Sequence, residues 1–334
     1  MPMPAFFSRL ALPALMLAAA APAQAMDGPL GYDLAALGGS EVAPGLPAPV
    51  LPAPAAYLQD REIDEAILLP AGTPEGDEDR KWARDYISVA GGVITAPSYN
   101  GSDDRVVLPG FYLRGRLGGF AFSTRGTNFQ VDLIRQKRGQ KTDLKFGPII
   151  NLRSDRTGRI KDAQVEALGE KKMAVELGFS GGITHTGIVT SGYDQVGLRV
   201  VGLKDISGKH GSWVVSPTVD YGTPLSKRAF IGVSASVNIY GKGFGRYYFD
   251  IDPLGSAASG LPVYNRAGDK VTAGKYTIGL AGAYGLSGDL RKGFVLIGGA
   301  QYGRMLGRYA DSPIVADAGS ADQFLGGIGL AYQF

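Results

Sequence analysis

The amino-acid sequence predicts an all-β fold: a transmembrane antiparallel β-barrel of about 12 strands, with about 10 or 14 as the alternatives, preceded by an N-terminal Pro-rich extension. Three observations support this prediction. The first residues have the composition of an export signal. From residue 83 to residue 334, apolar and polar residues alternate in segments of strand length. The last segment ends on an aromatic residue, with apolar residues at every second position before it.

Residues 1–25 are typical of a cleavable signal peptide. Arg9 precedes an apolar stretch that is too short to span a bilayer, and the small residues Ala23 and Ala25 suit a signal peptidase. The alternative, a buried N-terminal helix, is disfavoured because Pro13 and a run of alanines make poor core material. We therefore expect the mature chain to leave the cytoplasm and to reach the cell outer membrane of a Gram-negative bacterium.

The composition of the chain excludes several classes of protein. After the signal peptide, no stretch of about 20 consecutive apolar residues occurs, so no transmembrane helix is expected. The 334 residues include 50 Gly, which favours strands over helices. They include no Cys, which rules out disulfides and thiolate zinc sites. A net charge of +3 is too small to indicate a nucleic-acid partner, and none is expected.

Residues 26–82 form a Pro/Ala-rich segment, which we expect to be a periplasmic extension or a plug of the barrel. Its richest part, residues 42–56, contains prolines that fix φ and remove backbone donors, so it cannot join the interior of a sheet. An extended, semi-rigid tether is favoured. A plug folded into the lumen is the alternative. Residues 83–334 are expected to form the outer-membrane β-barrel.

Period-two alternation identifies the strands. In the clearest segment, residues 127–134, Phe129, Val131 and Leu133 alternate with polar residues. A soluble sandwich would bury the apolar face, whereas a membrane barrel turns it toward lipid. Alternation does not separate these two folds, but the export signal and the last strand favour the barrel. Three segments break the alternation and are predicted to be long external connections: residues 156–172, 243–271 and 307–322.

The closing strand carries a predicted barrel-assembly signal. Ile328, Leu330, Tyr332 and Phe334 occupy alternate positions, and small or polar residues fill the positions between them. An exposed edge of this kind pairs with an open strand edge of a partner, whose pockets take the alternate side chains. We therefore expect the barrel-assembly machinery as a partner, with outer-membrane lipid and lipopolysaccharide around the finished barrel.

Basic residues dominate the segment 105–161. Arg114 and Arg116 share one face of a strand, and Lys145 and Arg153 lie on the polar face of another. The polar face of a barrel strand lines the lumen, so these four residues predict a basic strip in the lumen or at its rim. Such a strip would favour anions or pair with lipopolysaccharide phosphates. The alternative is ordinary lumenal charge that is paired with neighbouring acids.

No constellation in the sequence indicates catalysis, and we expect neither an enzyme nor a bound cofactor or metal. The two histidines are His185 and His210, and His185 shares a strand with Ser180 and Glu176. No Gly-x-Ser-x-Gly elbow accompanies them. The Gly-x-Gly-x-Gly segment 241–245 is weakly similar to a nucleotide loop, but no helix is expected to follow it. The loop carboxylates lack the spacing of a calcium loop.

Four motifs carry a family resemblance: an early Tyr-Asn-Gly-Ser-Asp patch, a Phe-Gly-Pro segment, a Ser-Gly-Leu-Pro-Val loop and a Ser-Pro-Ile-Val segment before the closing strand. Their distinctive residues are Tyr99, Gly101, Ser102, Asp103, Gly147, Pro148, Gly260, Leu261, Pro262, Ser312 and Pro313. On these motifs, residues 86–334 resemble the family of MltA-interacting protein and OmpV, which are outer-membrane proteins.

The resemblance implies a barrel used as a scaffold. The name-giving member of the family is similar to an adaptor that brings a lytic murein transglycosylase to a peptidoglycan synthase. The first functional hypothesis is therefore a non-enzymatic structural protein linked to cell-wall (peptidoglycan) remodelling. The second is a porin-like, small-solute pore that prefers anions, which rests on the basic strip. The third is a surface adhesin, as other members of the family are described.

Overall fold

The computed structural model describes residues 86–117, 120–135, 141–290 and 292–333. These residues form a closed barrel of twelve antiparallel strands. The predicted fold class is therefore confirmed, and the strand number is twelve. The signal peptide (1–25), the extension (26–82) and the terminal Phe334 lie outside the described residues and stay predictions.

The strands follow one another around the barrel in chain order, and the last strand pairs with the first. At this closing seam, Ser88 lies opposite Gln333 and Thr95 lies opposite Gly326. The bounds of the strands are β1 Tyr86–Pro97, β2 Arg105–Leu117, β3 Phe120–Arg125, β4 Asn128–Asp132, β5 Thr142–Arg153, β6 Ala174–Thr186, β7 Gln195–Asp205, β8 Trp213–Pro224, β9 Ala229–Tyr240, β10 Thr272–Gly285, β11 Gly293–Met305 and β12 Asp322–Gln333.

Connection length distinguishes the two ends of the barrel. One end carries the connections 98–104, 126–127, 154–173, 206–212, 241–271 and 306–321. The other end carries the start of β1, the end of β12 and the connections 118–119, 133–141, 187–194, 225–228 and 286–292. Barrels of this class have short periplasmic turns and longer external loops, so the first end is external. All three predicted long segments lie at that end.

The apolar face of the strands points outward. Val107, Phe179 and Ile328 are 70%, 58% and 56% exposed, whereas the inward-facing Ser88 and Thr218 are 2% and 4% exposed. A soluble sandwich would bury the apolar side chains instead, so their exposure around a closed barrel identifies a membrane-spanning wall. The protein is an outer-membrane β-barrel.

Short helices occupy the long external connections of the described chain. They are α1 Ala163–Ala167, α2 Lys242–Tyr248, α3 Pro253–Ser259 and α4 Pro313–Ala316, with a 3-10 turn at Gly307–Tyr309. Asp162 begins α1 by accepting the Val165 amide at 2.8 Å, and Asp252 begins α3 by accepting the Gly255 amide at 2.7 Å. None of the helices in the described residues is long and apolar enough to cross a membrane.

The wall is irregular at the short strands β3 and β4. β3 pairs with β2 only along the four residues 114–117 of β2. β4 pairs with three residues of β5, and the ladder ends before Pro148, which has no amide hydrogen with which to continue it. Within the described residues, the β2–β3 ladder covers 114–117 of β2, and the Leu113 backbone is hydrogen-bonded to the Thr124 hydroxyl of β3.

Candidate functional site

The external connections pack together over the mouth of the barrel and form what we call the outer cap: residues 98–104, 154–173, 206–212, 241–271 and 306–321. Its interior is a buried cluster, rich in aromatic side chains, that includes Tyr99, Tyr240, Phe244, Tyr248, Phe249, Ile251, Leu261, Tyr264, Met305, Tyr309 and Ile314. Phe244 stacks on Tyr240 with 4.1 Å between ring centroids. Interdigitated aromatic rings of this kind make the outer cap a packed core that covers the mouth.

The early Tyr-Asn-Gly-Ser-Asp patch joins the first external connection to the last. The Tyr99 hydroxyl donates to the carbonyl of Ala318 at 2.6 Å. The Gly101 amide donates to Oε1 of Gln323 at 3.1 Å, and the Ser320 amide donates to the Gly101 carbonyl at 2.8 Å. The patch therefore holds the 306–321 connection against the start of β2.

Glycine is required at position 101 for two reasons. Its φ of +100° lies in a region that side chains rarely adopt, and a Cβ there would meet the side chain of Val315. Beside it, the Ser102 hydroxyl is hydrogen-bonded to the Ser98 hydroxyl at 2.8 Å. Asp103 is exposed and takes no part in this packing.

The two later loop motifs belong to the same cap. The Ser312 hydroxyl donates to the Phe249 carbonyl of the 241–271 connection at 2.6 Å. Pro313 begins α4. Gly260 ends α3 with a φ of +74°, which a glycine adopts without strain. Leu261 is buried in the aromatic cluster and Pro262 is exposed. Three of the four motifs are thus brought together in the outer cap.

The Gly147–Pro148 motif lies apart from the cap. Gly147 is buried on the lumenal side of β5, where a Cβ would meet the backbone of Val131. Pro148 lies where the β4–β5 ladder ends. This motif shapes the wall and does not take part in the cap.

Tyr99→Phe tests the hydrogen bond between the Tyr99 hydroxyl and the Ala318 carbonyl, which links the first external connection to the last. We expect it to lower the free energy of unfolding by about 1 kcal/mol, because the hydroxyl is lost and the Ala318 carbonyl keeps no equivalent donor. Denaturant unfolding of the barrel would measure this. The control is Tyr284→Phe, since Tyr284 is 46% exposed on the lipid face and its hydroxyl can be replaced without loss. Equal stability of both variants would contradict the expected role of the hydroxyl.

A buried charged network lies beneath the outer cap. The Glu176 carboxylate accepts hydrogen bonds from Arg153 Nε at 2.7 Å and Nη2 at 2.9 Å. It also accepts from Asn151 Nδ2 at 2.8 Å and is bonded to His210 Nε2 at 2.7 Å. The Arg153 guanidinium lies over the Phe244 ring, 5.0 Å from its centroid. The network thus ties β5 and β6 to the 206–212 connection and to the aromatic cluster above.

His210 is not placed to act as a catalytic base. Its Nδ1 accepts the Ser212 amide at 3.2 Å, so the ring proton lies on Nε2, which donates to Glu176. Both ring nitrogens are therefore engaged. His185 lies on the lipid side of β6, while Ser180 faces the lumen, so these two residues cannot form a nucleophile and base. The network was missed from the sequence because it joins three separate segments of the chain, namely Asn151 with Arg153 on β5, Glu176 on β6 and His210 in the 206–212 connection.

The four residues of the predicted basic strip do not lie together. Arg114, Arg116 and Lys145 face the lumen in the half of the barrel near the periplasmic turns, as their positions on β2 and β5 require. Arg153 lies at the external end of β5 and is bound by Glu176 beneath the cap. The hypothesis of a basic strip in the lumen therefore applies to Arg114, Arg116 and Lys145 and not to Arg153.

The lumen near the periplasmic turns contains a cavity that is open to solvent and has charged walls. Lys145 and Arg199 line it together with Asp132 and Asp220. Arg199 Nε lies 3.9 Å from Asp220 Oδ2. Basic and acidic groups thus alternate around this cavity, which weakens any preference for anions.

Two basic side chains of the outer cap, Arg156 and Lys171, have surroundings that disfavour their charged forms. Arg156 is 2% exposed and adopts a φ of +57°, and its Nη1 donates to the Tyr248 carbonyl at 2.9 Å. Burial lowers the pKa of Arg156, and the neighbouring Asp155 opposes the change. Burial, with Arg156 nearby, lowers the pKa of Lys171 to about 8. Burial in this part of the outer cap thus opposes the charged form of both side chains.

One expectation from the sequence is wrong: a helix, α2, does begin directly after Gly241. The glycines that follow it still have a packing role. A Cβ at Gly243 would meet the His210 carbonyl, and a Cβ at Gly245 would meet the Ala267 carbonyl. They permit close approach of loop backbones and form no phosphate cradle. Among the residues that the structure describes, no group of three His, Asp or Glu side chains is placed to hold a metal ion.

At the periplasmic end, Asp194 braces the turn 187–194. Its carboxylate accepts the backbone amides of Thr190, Ile188 and Val189. These bonds, the one from Thr190 first, lower the pKa of Asp194 to about 2. Ile188 and Val189 are nevertheless 56% and 63% exposed. The turn therefore presents two aliphatic side chains on a fixed backbone.

This brace is expected to fail in acid. Because the pKa of Asp194 is lower in the folded chain than the usual value near 3.9, its contribution is fully present above about pH 4 and is lost as the pH falls through about 2. The protection of the Ile188 and Val189 amides, measured as their exchange rate relative to the intrinsic rate at each pH, should fall over that range. Asp194→Asn should show fast exchange already at neutral pH. Exchange that is unchanged in this variant would contradict the bracing role.

The described residues of the predicted barrel-assembly signal lie on the lipid side of the closing strand. Ile328, Leu330 and Tyr332 are 56%, 44% and 38% exposed. Their strand, β12, pairs with β1 and β11 in the finished barrel. Recognition of these residues during assembly stays a prediction.

Comparison with known proteins identifies the family. The model of the family described as MltA-interacting protein MipA matches residues 89–334. The chain belongs to this family. The family predicted from the motifs is thereby confirmed, and the match spans the described barrel. A search of curated proteins found no match.

Solved structures that are similar to the chain include two outer-membrane proteins and a toluene transporter. OmpT of Vibrio cholerae is 8% identical, with a TM-score of 0.36, over 75% of this chain and 97% of that one. An outer membrane channel from Pseudomonas putida F1 is 12% identical, with a TM-score of 0.40, over 79% and 100%. The toluene transporter TodX of Pseudomonas putida is 10% identical, with a TM-score of 0.33, over 81% and 92%.

Proposed function

We propose that this barrel is a non-enzymatic scaffold that binds a murein transglycosylase at its periplasmic end and, through it, a peptidoglycan synthase. The observation that carries the proposal is the outer cap, a packed core over the external mouth. With that end covered, the periplasmic end is the surface available to cell-wall enzymes. The description of the family, MltA-interacting protein, supports the class of partner.

The periplasmic end offers a surface suited to a protein partner. Three neighbouring turns expose aliphatic side chains there: Ile188, Val189, Leu225 and Leu286. Basic residues flank them, namely Lys227, Arg228 and Lys292. Apolar side chains surrounded by charge are typical of the centre and rim of an interface. The chain enters β1 at this end, so residues 26–82 would extend the same surface as a tether.

Further partners follow from the outer face and the closing strand. The apolar outer face would contact membrane lipid, and basic residues at the external rim, such as Arg105 and Lys204, would lie near lipopolysaccharide phosphates. The closing strand would be recognised by the barrel-assembly machinery through its alternate apolar side chains. A non-enzymatic role is supported by the engagement of both ring nitrogens of His210.

Binding of the purified mature chain, residues 26–334, to a purified murein transglycosylase of the MltA type tests the proposal. The variant Ile188→Ser/Val189→Ser should bind at least about tenfold more weakly, which corresponds to about 1.4 kcal/mol. The matched control is Leu254→Ser/Val263→Ser, because these residues are 82% and 52% exposed at the external end. The control should keep the affinity of the parent.

The possible results separate the turns from the tether. If only the periplasmic variant binds weakly, the turns form the interface. If both variants bind like the parent, deletion of residues 26–82 should abolish binding, which would place the interface on the extension. A parent chain that does not bind the transglycosylase would overturn the scaffold proposal.

A small-solute pore is the second candidate, and the charged cavity near the periplasmic turns favours it. Its weakness is that the outer cap lies across the path of any solute that crosses the barrel along its axis. The mixed charge around Lys145, Arg199 and Asp220 also gives little reason to expect a strong preference for anions. Conductance separates the two candidates, as argued in the Discussion.

A further inference from the structure

One edge of the Arg156 guanidinium, inside the outer cap, has no acceptor. Its Nη1 donates to the Tyr248 carbonyl at 2.9 Å. Its Nε and Nη2 are buried and have no hydrogen-bond partner in the part of the chain that the structure describes. A side chain that is only 2% exposed is ordinarily paired, because a buried donor without an acceptor costs free energy. The two donors therefore point to an acceptor that comes from outside the chain.

The unpaired edge is the one with which arginine holds two oxygens of an oxyanion. In the same protein, Arg153 Nε and Nη2 donate to Oε1 and Oε2 of Glu176 at 2.7 and 2.9 Å. Because the guanidinium is planar and rigid, Arg156 offers its Nε and Nη2 in the same side-on geometry. Arginine binds carboxylates and phosphates in this way. The edge therefore selects a ligand that carries two acceptor oxygens on one central atom.

The carboxylates of the surrounding connections are engaged elsewhere. The two oxygens of Asp155 accept from the amide and the side chain of Asn100, at 3.0 and 3.1 Å. Asp162 accepts a backbone amide in the first turn of α1, and Asp252 accepts one in the first turn of α3. Among the described residues, none of these three carboxylates is bonded to Arg156. The chain itself thus offers no obvious partner for the edge.

A second cation lies close to Arg156. Lys171 belongs to the same external connection, and its amide donates to the Arg156 carbonyl at 2.7 Å. Its ammonium group lies over the Tyr247 ring, 5.1 Å from the centroid. Burial, and then repulsion from Arg156, lower the pKa of Lys171. An oxyanion at the Arg156 edge would offset this repulsion, because it would place a negative charge beside both cations.

The segment 156–159, which begins at Arg156, gives a ligand a route to the buried edge. The φ angles of Arg156 and Arg159 are +57° and +54°, in a region that residues other than glycine seldom adopt. Arg159 is exposed, and so are Gly169 and Glu170 of the facing part of the connection. Strained, exposed loop segments open locally at low cost in free energy. A ligand can therefore reach Arg156 when this segment moves.

We propose that Arg156 and Lys171 bind a phosphate-class oxyanion in the outer cap, which reaches them by movement of the segment 156–159. A phosphate is favoured over a carboxylate because it has a third oxygen for Lys171 besides the two at the Arg156 edge. The Ser154 and Tyr248 hydroxyls, which also have no partner among the described residues, add two donors to this part of the cap. The site does not depend on the scaffold function.

Equilibrium dialysis of the refolded mature chain, residues 26–334, against radiolabelled inorganic phosphate tests the proposal. The protein is held in micelles of an uncharged detergent without phosphate. We expect the parent to bind phosphate and Arg156→Met to bind it at least about tenfold more weakly. Arg156→Lys keeps the charge but loses the side-on edge, so its affinity should lie between the two. Absence of binding by the parent, or equal binding by the parent and Arg156→Met, would overturn the proposal.

The matched control is Arg308→Met, because Arg308 also belongs to the outer cap but is paired with Asp269 at 2.9 Å. This variant should bind phosphate like the parent, and a loss equal to that of Arg156→Met would mean that the cap binds anions without a defined site. Arg156→Met should fold, because it removes a buried charge that has no counter-ion. If it does not, Lys171→Met should bind phosphate about threefold more weakly than the parent. Unchanged binding in that variant would contradict the assigned site.

Inorganic phosphate and the headgroup of a phosphorylated lipid share the chemistry that this site requires, and competition separates the two sources. Dilauroyl phosphatidic acid, whose headgroup is a phosphate monoester, is added to the micelles, with dilauroyl phosphatidylcholine as the control. Displacement of labelled phosphate by phosphatidic acid alone would identify a headgroup as a ligand of Arg156. If neither lipid displaces it, the ligand is a soluble oxyanion. Both results support the site, whereas equal displacement by both lipids would contradict selection of a phosphate monoester.

Discussion

Replacing Glu176 by Ala is expected to lower the free energy of unfolding by about 3–5 kcal/mol. The Glu176 side chain is fully buried, and the Arg153 guanidinium beside it is 6% exposed. Removal of the carboxylate takes away the buried acceptor of both Arg153 hydrogen bonds, and it also removes the acceptor of His210 and Asn151. Denaturant unfolding of the refolded barrel measures the loss.

The double variant Arg153→Met/Glu176→Leu is the matched control. It removes both charges and fills similar volumes, so it should recover most of the stability that Glu176→Ala loses. Glu176→Gln keeps the shape but not the charge and should fall between them. A loss below about 1 kcal/mol in Glu176→Ala would mean that Arg153 reaches water in the folded barrel, as surface pairs do.

The second large effect concerns conduction. The complete mature chain should give no stable conductance steps in a planar bilayer, because the outer cap covers the external mouth. Deleting residues 242–270 removes α2, α3 and much of the aromatic cluster. Tyr240 and Thr272 lie opposite each other in the β9–β10 ladder, so a short Gly-rich turn can join them without disturbing the barrel. This variant should conduct.

Two controls give the conductance result its meaning. Deleting residues 26–82 alone should not open the barrel if the cap is the barrier, whereas steps from that variant would identify the extension as a plug. In the conducting cap deletion, Arg114→Ala/Arg116→Ala should shift ion preference away from anions. Stable, ion-selective steps from the complete chain would make the pore the primary function and would contradict closure by the cap.

Much of this fold was predictable because it depends on local patterns. Alternation along a strand, the apolar closing strand and the length of the connections are properties of adjacent residues, and a closed barrel is the arrangement that satisfies them in a membrane. The family motifs were also visible in the sequence, although their shared location was not. Tyr99 and Ala318 are 219 positions apart and meet only because β1 closes on β12.

The candidate sites were less predictable because they depend on contacts between distant segments. From the sequence, Arg153 was predicted to be one cation of a lumenal strip. Its ion-pair partner Glu176 could not be predicted, because the pairing depends on the register of β5 against β6. A second buried cluster inside the barrel, which includes Ala90, Val295 and Ala331, was hidden because small inward residues give the same alternation as any lumenal face. Neither site has a short motif.

By itself, the sequence determined the barrel fold, the side chains that face lipid and the family. It also determined which connections are long, and these distinguish the external end from the periplasmic end. Only the tertiary structure decided that the long connections pack together at the external mouth, that a buried charged network lies beneath them, and that part of the lumenal wall forms an apolar cluster. The physical reason is that period and composition act along the chain, whereas burial and charge pairing depend on which strands become neighbours.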